Sequence, residues 1–245
     1  MFQAVFIAYA LSTLCRRGPD GNYLYISDPT LMPAEFYVWY IINNCLNIAW
    51  LILFDREIKI AALVVIALIW FTLFVPLVIS HKTIMNNVQK IQKFGMMKEV
   101  WMIRFMVQNA LAFYCTWITV ATLLNFTMVL AYDAGMDQST ASTISLGILS
   151  FEIVLWLSLD FFVLHRYTNY LFAPHCVLPI AIGGSLAKNF NPWHHNTIIT
   201  VILLSVAVLA LVVKVIVMIA RHCMWKRQAD SDVPEDSSQQ KVVPA

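Results

Sequence analysis

Long apolar stretches recur along the 245-residue chain and limit what it can fold into. Each runs for about 20 residues almost without charge, the length that an α-helix needs to cross a bilayer. Only helices and closed barrels satisfy their backbone hydrogen bonds in lipid, and continuous apolar runs favour helices over alternating barrel strands. Charged residues make up only 12% of the chain, where a soluble domain has about 25%. The sequence therefore predicts an all-α, polytopic transmembrane helix bundle.

We predict about six full spans, preceded by a partial N-terminal helix. Residues 1–15 are apolar but too short to cross a bilayer, and they lack the basic flank that precedes a signal peptide. We expect them to be the remainder of a membrane helix in a chain truncated at its N-terminus. The polar residues 221–245 are expected to form a disordered tail. The six full spans are 36–54, 60–79, 101–131, 143–164, 171–187 and 197–220.

Residues 171–187 are the ambiguous span, because two prolines and a pair of glycines interrupt them. Basic residues gather on the cytosolic side of membrane proteins. If residues 171–187 cross the membrane, one side of the membrane holds thirteen of the sixteen basic residues. If they do not cross, the two sides hold nearly equal numbers of basic residues. We therefore predict that the segment crosses and that the C-terminal tail is cytosolic. The thirteen are Arg16, Arg17, Lys82, Lys90, Lys93, Lys98, Arg104, Arg166, Lys214, Arg221, Lys226, Arg227 and Lys241.

Aromatic and amide side chains share one helix face in each of two spans. Residues spaced by about three, four or seven positions lie on the same side of a helix. Tryptophan offers a flat apolar wall with one N–H donor, and asparagine both donates and accepts, so these faces are candidates for an intramembrane ligand pocket. The alternative is that the amides hydrogen-bond across packed helices. The residues are Asn43, Asn47 and Trp50 in one span, and Tyr114, Trp117, Ala121 and Asn125 in the other.

Two acidic residues, Glu152 and Asp160, lie in the span 143–164. Ionisable side chains at membrane depth are costly and commonly mark ion paths or proton relays. Glu152 is the deeper, and we expect it to be protonated or hydrogen-bonded by a neighbouring helix. Asp160 is expected nearer the interface, where it pairs with Arg166 or reaches the lipid headgroups. Both acids leave a secondary transporter open as an alternative function.

Two segments resemble a known family. L-N-I-A-W at 46–50 is similar to the third-helix signature, and Y-C-T-W-I-T-V-A-T-L-L-N at 114–125 to the last-helix signature, of the tryptophan-rich sensory protein and translocator protein (peripheral benzodiazepine receptor) family. Phe113 and Val120 depart from the second signature, where the family has Pro and Phe. The resemblance covers about residues 2–130 and implies a partial family region at 1–131, with additional helices at 132–220. Larger, uncharacterised animal membrane proteins append such helices.

The resemblance implies a ligand-binding function, and the sequence argues against several other classes of protein. Family members bind porphyrins, sterols or aromatic compounds between helices, so we expect a sensor or receptor for a small hydrophobic ligand. A seven-helix receptor ranks behind the transporter, because the third span lacks an acidic-Arg-aromatic end. The sequence contains no nucleotide-binding or hydrolase motif, so we predict neither an enzyme nor a cofactor. His194 and His195 have no third metal ligand in register, so we predict no metal site there. The net charge of +2 predicts no nucleic-acid partner. The bilayer is the expected partner, self-association stays open, and the organelle is not specified.

Overall fold

Helices are the only regular elements among residues 2–231, the part of the chain that the computed structural model describes. This confirms the predicted all-α bundle. The loops between the helices are short, except for residues 16–33. In chain order the helices are α1 (Phe2–Cys15), α2 (Ala34–Asp55), α3 (Lys59–Lys93), α4 (Met97–Asp133), α5 (Gln138–Val163), α6 (His165–Thr168), α7 (Ala173–Asn189) and α8 (His195–Ser231).

Five of these helices, α2, α3, α4, α5 and α8, are long and apolar enough to cross a membrane. They correspond to five of the six predicted full spans. The sixth prediction, 171–187, forms α7, which has 17 residues and is about 26 Å long at 1.5 Å per residue. That is slightly short of a hydrocarbon core of about 30 Å. Pro174 sits in its first turn, where a missing N–H costs no hydrogen bond, so the proline marks where α7 begins.

The last helix runs further than predicted. α8 continues to Ser231, so residues 221–231 are helical rather than disordered. Arg, Met, Lys, Gln and Ala dominate this stretch, and they are good helix formers. The remainder of the predicted tail, 232–245, lies outside the described residues.

Contacts between helix termini and the adjoining loops define the two ends of the bundle, named here the connector end and the cleft end. At the connector end, Arg16 pairs with Glu99, and the Trp101 and His222 rings lie 5.9 Å apart. At the cleft end, Ser139 Oγ lies 3.2 Å from His194 Nε2. The α3–α4 connector and the C-terminal part of α8 thus share one end, as the charge distribution predicts; which side of a membrane that end faces stays a prediction. The connector end comprises loops 16–33, 94–96 and 164–172, and the cleft end comprises loops 56–58, 134–137 and 190–194.

Buried side chains form separate clusters along the bundle. The largest joins α1, α2, α3 and α4 near the connector end. A second joins α4, α5, α7 and α8, and the floor of the candidate site rests on it. Many large apolar side chains, such as Val154 on α5 and Leu209 on α8, are exposed on the outside of the helices. That outer surface suits contact with lipid. The members of the second cluster are Leu123, Leu149, Ile153, Leu178, Ile182, Leu203 and Ala207.

Candidate functional site

Asn43 joins two helices rather than opening towards a cavity. Its side chain is fully buried between α2 and α3. Its Nδ2 donates to Ile69 O at 2.8 Å and to Thr72 Oγ1 at 3.0 Å. The amide therefore hydrogen-bonds across the helix pair, which is the alternative that the sequence left open for it.

Four other predicted ligand residues meet at the junction of α2, α3 and α4. Asn47 Nδ2 donates to the Tyr114 hydroxyl. Trp50, Tyr114 and Ala121 pack against the small cluster formed by Ile66, Ile69 and Ile118. The Trp50 ring also stacks on Phe54, with centroids 5.1 Å apart, and its buried Nε1 has no hydrogen-bond partner among the described residues.

Trp117 and Asn125 differ from those four residues in their surroundings. Trp117 is 47% exposed on the outside of α4. Asn125 is buried, and its Nδ2 donates to Ala121 O of the same helix at 2.9 Å. The residues of the face predicted from spacing on α4 therefore have different surroundings. Tyr114 and Ala121 pack at the junction, Asn125 is buried, and Trp117 lies on the outer surface. A ligand-binding role for these residues stays a prediction.

A cleft of about 780 Å³ lies elsewhere, between α4, α5, α7 and α8 at the cleft end. Its volume falls within the range of about 300–1,000 Å³ that is usual for small-molecule sites. None of the seven predicted ligand residues lines it. Its apolar lining is formed by Val120, Leu123, Leu124, Met128, Leu146, Leu149, Ala181, Ile182 and Leu186. Its polar lining is formed by Thr127, Asp137, Gln138, Ser139, Ser142, Ser145, Ser185, Asn189, Asn191, His194, Asn196, Thr197 and Thr200.

Hydrogen bonds hold the polar part of the cleft together. Asn196 Nδ2 at the start of α8 donates to Ser139 O at the start of α5, at 3.0 Å. Thr143 Oγ1 donates to Asn196 Oδ1 at 2.7 Å and lies 3.0 Å from His195 Nε2. The two histidines therefore serve to join the α7–α8 loop to α5. The sequence signal for this contact was the concentration of Ser and Thr in the first turns of α5.

Asp160, Lys214 and His175 form a buried polar cluster towards the connector end. Lys214 Nζ donates to both Asp160 oxygens at 2.8 Å and to Thr168 O at 2.9 Å. His175 Nε2 lies 3.4 Å from Asp160 Oδ2. Asp160 is 1% exposed and Lys214 3%. The cluster therefore joins α5, α7 and α8 through an ion pair that solvent does not reach.

This arrangement corrects the prediction for Asp160. Its burial keeps it from the headgroups, and its ion-pair partner is Lys214; the Arg166 side chain is not among those described. Lys214 lies six residues before the end of the predicted span 197–220. Because α8 continues 17 residues beyond it to Ser231, Lys214 lies well inside the helix and reaches the depth of Asp160. The π-helical turn Leu159–Val163 carries Asp160 into the bundle.

For Glu152, no ion-pair partner is found among the residues that the structure describes. Its side chain is partly buried, and Oε2 is buried without a hydrogen bond from any described residue. Trp156, one turn further along α5, likewise has a buried Nε1 without a partner. The expected bond to a neighbouring helix is therefore not seen, and protonation of Glu152 stays a prediction.

Asn109 is a structural residue that the sequence analysis missed. Its Nδ2 donates to Arg104 O and Tyr170 O, both at 2.8 Å. Its Oδ1 accepts from the backbone N–H groups of Phe172 and Ala173, both at 3.0 Å. This one buried amide binds the first turn of α7 to α4, and so fixes the helix that forms one wall of the cleft. Among the described residues, no group of three His, Cys, Asp or Glu side chains could hold a metal ion.

A protein-family model matches most of the chain. The family model described as TSPO-like protein matches residues 30–219. Neither a curated protein nor a solved structure matches the chain. The matched region begins at residue 30, continues past residue 130, where the sequence resemblance ends, and includes the cleft-lining parts of all four helices. Because this region is more than three quarters of its length, the chain, a multi-pass membrane protein, belongs to the TSPO-like protein family.

Proposed function

We propose that this protein binds a small, largely apolar ligand in the cleft between α4, α5, α7 and α8, and that it acts as a sensor or receptor rather than as an enzyme. The cleft itself carries the proposal, because it combines a ligand-sized volume with a lining of both apolar and polar side chains. Membership of the TSPO-like family supports a hydrophobic ligand. Sterols and porphyrins are the first candidates.

The cleft is a better candidate than the aromatic and amide face. At the α2–α3–α4 junction, Asn47 is already hydrogen-bonded to Tyr114. Asn43, between α2 and α3, donates to Ile69 O and Thr72 Oγ1, although its buried Oδ1 has no partner among the described residues. Trp50 and Tyr114 pack against buried isoleucines there. A ligand would have to displace those contacts, whereas the cleft already offers free volume.

A secondary transporter remains a second candidate, supported by the buried charges. Asp160 and Lys214 lie inside the bundle, and Glu152 has a buried oxygen without a hydrogen-bond partner in the described part of the chain. Such groups are typical of proton and ion paths. Proton-linked flux in proteoliposomes would favour this function, and Glu152→Gln should then abolish it. Absence of such flux from the unmodified protein would eliminate the transporter.

A tryptophan placed inside the cleft should compete with the ligand. Ala181 on α7 is partly buried and lines the cleft. We expect Ala181→Trp to weaken ligand binding by about tenfold or more, a loss of about 1.4 kcal/mol, because the indole occupies the volume that the ligand needs. Equilibrium binding of labelled sterol and porphyrin to the full chain in nanodiscs measures this effect.

Ala187→Trp is the matched control for this substitution. Ala187 lies on the same helix, is exposed and does not line the cleft. It is six residues further on, or about 240° around α7. Its replacement should leave the ligand affinity unchanged. Equal affinities in both variants, with the fold retained, would argue against the cleft as the ligand site.

A further inference from the structure

Buried polar atoms that lack hydrogen bonds concentrate between α5 and α7. Both ring nitrogens of His175, Nε1 of Trp156 and Oε2 of Glu152 are buried, and none of them has a hydrogen-bond partner in the described part of the chain. His175 is only 1% exposed, and its ring centroid lies 6.4 Å from that of Trp156. Buried polar atoms in proteins are nearly always paired, either with protein or with ordered water. These four atoms therefore point to a bound partner.

The spacing of the three side chains suits small bridging molecules. Two nitrogens bridged by one water are up to about 5.8 Å apart, since each hydrogen bond to the water is about 2.9 Å long. The ring pair of Trp156 and His175 is on that scale. Glu152 lies four residues before Trp156, on the same side of α5 and about 6 Å away along its axis. A file of about two further waters spans that distance.

The charges around His175 restrict the partner to a neutral molecule. Asp160 Oδ2 lies 3.4 Å from His175 Nε2, so a carboxylate would repel an anion bound there. Lys214 Nζ, 2.8 Å from Asp160 Oδ1, would repel a cation, and the indole N–H of Trp156 can only donate. A neutral imidazole has one donor nitrogen and one acceptor nitrogen. The partner must therefore both donate and accept hydrogen bonds, as water does.

An apolar layer separates these atoms from the ligand cleft. Leu149 on α5 and Ile182 on α7 line the cleft. Ile153 and Leu178 follow them one turn closer to the unpaired atoms, and both belong to the buried cluster beneath the cleft. The polar atoms thus lie on the connector side of this layer, and a molecule bound to them does not share the volume of the cleft.

We propose that water binds between α5 and α7 at His175, Trp156 and Glu152, as an internal hydrated site distinct from the ligand cleft. The inference goes beyond the proposed function and does not depend on it. Water supplies an acceptor for the indole N–H, and a donor and an acceptor for the imidazole, and so joins α5 to α7. It also gives the carboxyl of Glu152 a neighbour that can take up or deliver a proton inside the bundle.

X-ray radiolytic footprinting detects such water, because radicals formed from a bound water oxidise the side chains beside it. The full chain in nanodiscs is irradiated briefly, and oxidation is quantified residue by residue by mass spectrometry. We expect Trp156 and His175 to be oxidised faster than Tyr9 by about threefold or more, since Tyr9 is 2% exposed and its hydroxyl already donates to Glu99. A rate at either residue no higher than that at Tyr9 would overturn the inference.

Removing the ring nitrogens should remove the water. We expect His175→Phe to lower the oxidation rate of Trp156 by about threefold or more, because a phenyl ring fills the space of the imidazole and offers no hydrogen bond. His81→Phe is the matched control on α3, where His81 Nδ1 lies 2.9 Å from Leu77 O of the same helix. It should leave the Trp156 rate unchanged. Equal Trp156 rates in both variants and the unmodified chain would contradict a water bound at His175.

The reciprocal variant makes the test independent of the folding of His175→Phe. Trp156→Phe removes the indole N–H from α5 and should lower the oxidation rate of His175 by about threefold or more. An unchanged rate at Tyr9 and unchanged helical circular dichroism show that each variant retains the fold. A His175 rate equal to that of the unmodified chain, in a folded Trp156→Phe protein, would mean that the two side chains share no water.

Discussion

Replacing Lys214 by methionine should destabilise the bundle by about 3–5 kcal/mol, the usual cost of leaving one member of a buried ion pair without its partner. Lys214 Nζ donates all three of its hydrogen bonds inside the protein, two to Asp160 and one to Thr168 O. Asp160 would remain buried with His175 as its remaining polar neighbour. Reversible unfolding in mixed detergent micelles, monitored by helical circular dichroism, measures this loss.

Two further variants test whether the broken ion pair causes the loss of stability in Lys214→Met. Lys188→Met removes an exposed lysine from α7 and should cost less than about 0.5 kcal/mol, as surface substitutions do. Asp160→Asn combined with Lys214→Met removes both charges, and the pair should be more stable than Lys214→Met alone, because no unpaired carboxylate is left. A cost for Lys214→Met close to that of Lys188→Met would contradict the role of the ion pair.

Asn109→Ala should also cost several kcal/mol, on the order of 3. The substitution leaves the N–H groups of Phe172 and Ala173 without their acceptor, and each buried, unsatisfied donor costs about 1–3 kcal/mol. It also removes the donors to Arg104 O and Tyr170 O. Because these bonds hold α7 to α4, we expect the ligand affinity of the cleft to fall together with the stability.

Asn125→Ala is the matched control for Asn109→Ala, because it makes the same substitution on the same helix. Asn125 is as well buried as Asn109, yet its hydrogen bond returns to Ala121 O one turn earlier in α4. The α4–α7 contact does not depend on it, so its loss should cost about 1 kcal/mol, the net contribution of one ordinary hydrogen bond. Similar unfolding free energies for the two variants would mean that Asn109 does not hold α7 in place.

The helices were predictable because lipid imposes a length and a composition on each of them. Runs of about 20 apolar residues identified the helices that became α2, α3, α4, α5 and α8. α7 was harder to predict, because its two prolines argue against a continuous helix and its 17 residues are few for a membrane span. Hydropathy alone did not reveal that α8 continues through residues 221–231, where helix propensity rather than apolar character maintains the helix.

The cleft was not predictable in the same way. Its walls consist of ordinary Leu, Ile, Ser and Asn side chains from four helices, and its volume depends on how far apart those helices pack. No periodicity within one helix reports such a distance. Spacing did identify a face on α4, but it placed Trp117 beside Tyr114, although packing exposes the former and partly buries the latter. The Asp160–Lys214 pair was missed because it joins residues 54 positions apart.

A photoreactive sterol tests the central claim most directly, because it records where the ligand lies. A diazirine sterol is crosslinked to the full chain in nanodiscs, with excess unlabelled cholesterol as competitor, and the modified peptides are mapped by mass spectrometry. We predict competable labelling within residues 120–128, 138–149 and 181–189, which contribute the cleft walls on α4, α5 and α7. Competable labelling confined to residues 47–50, 66–69 and 114–118 would place the ligand at the α2–α3–α4 junction and contradict the account.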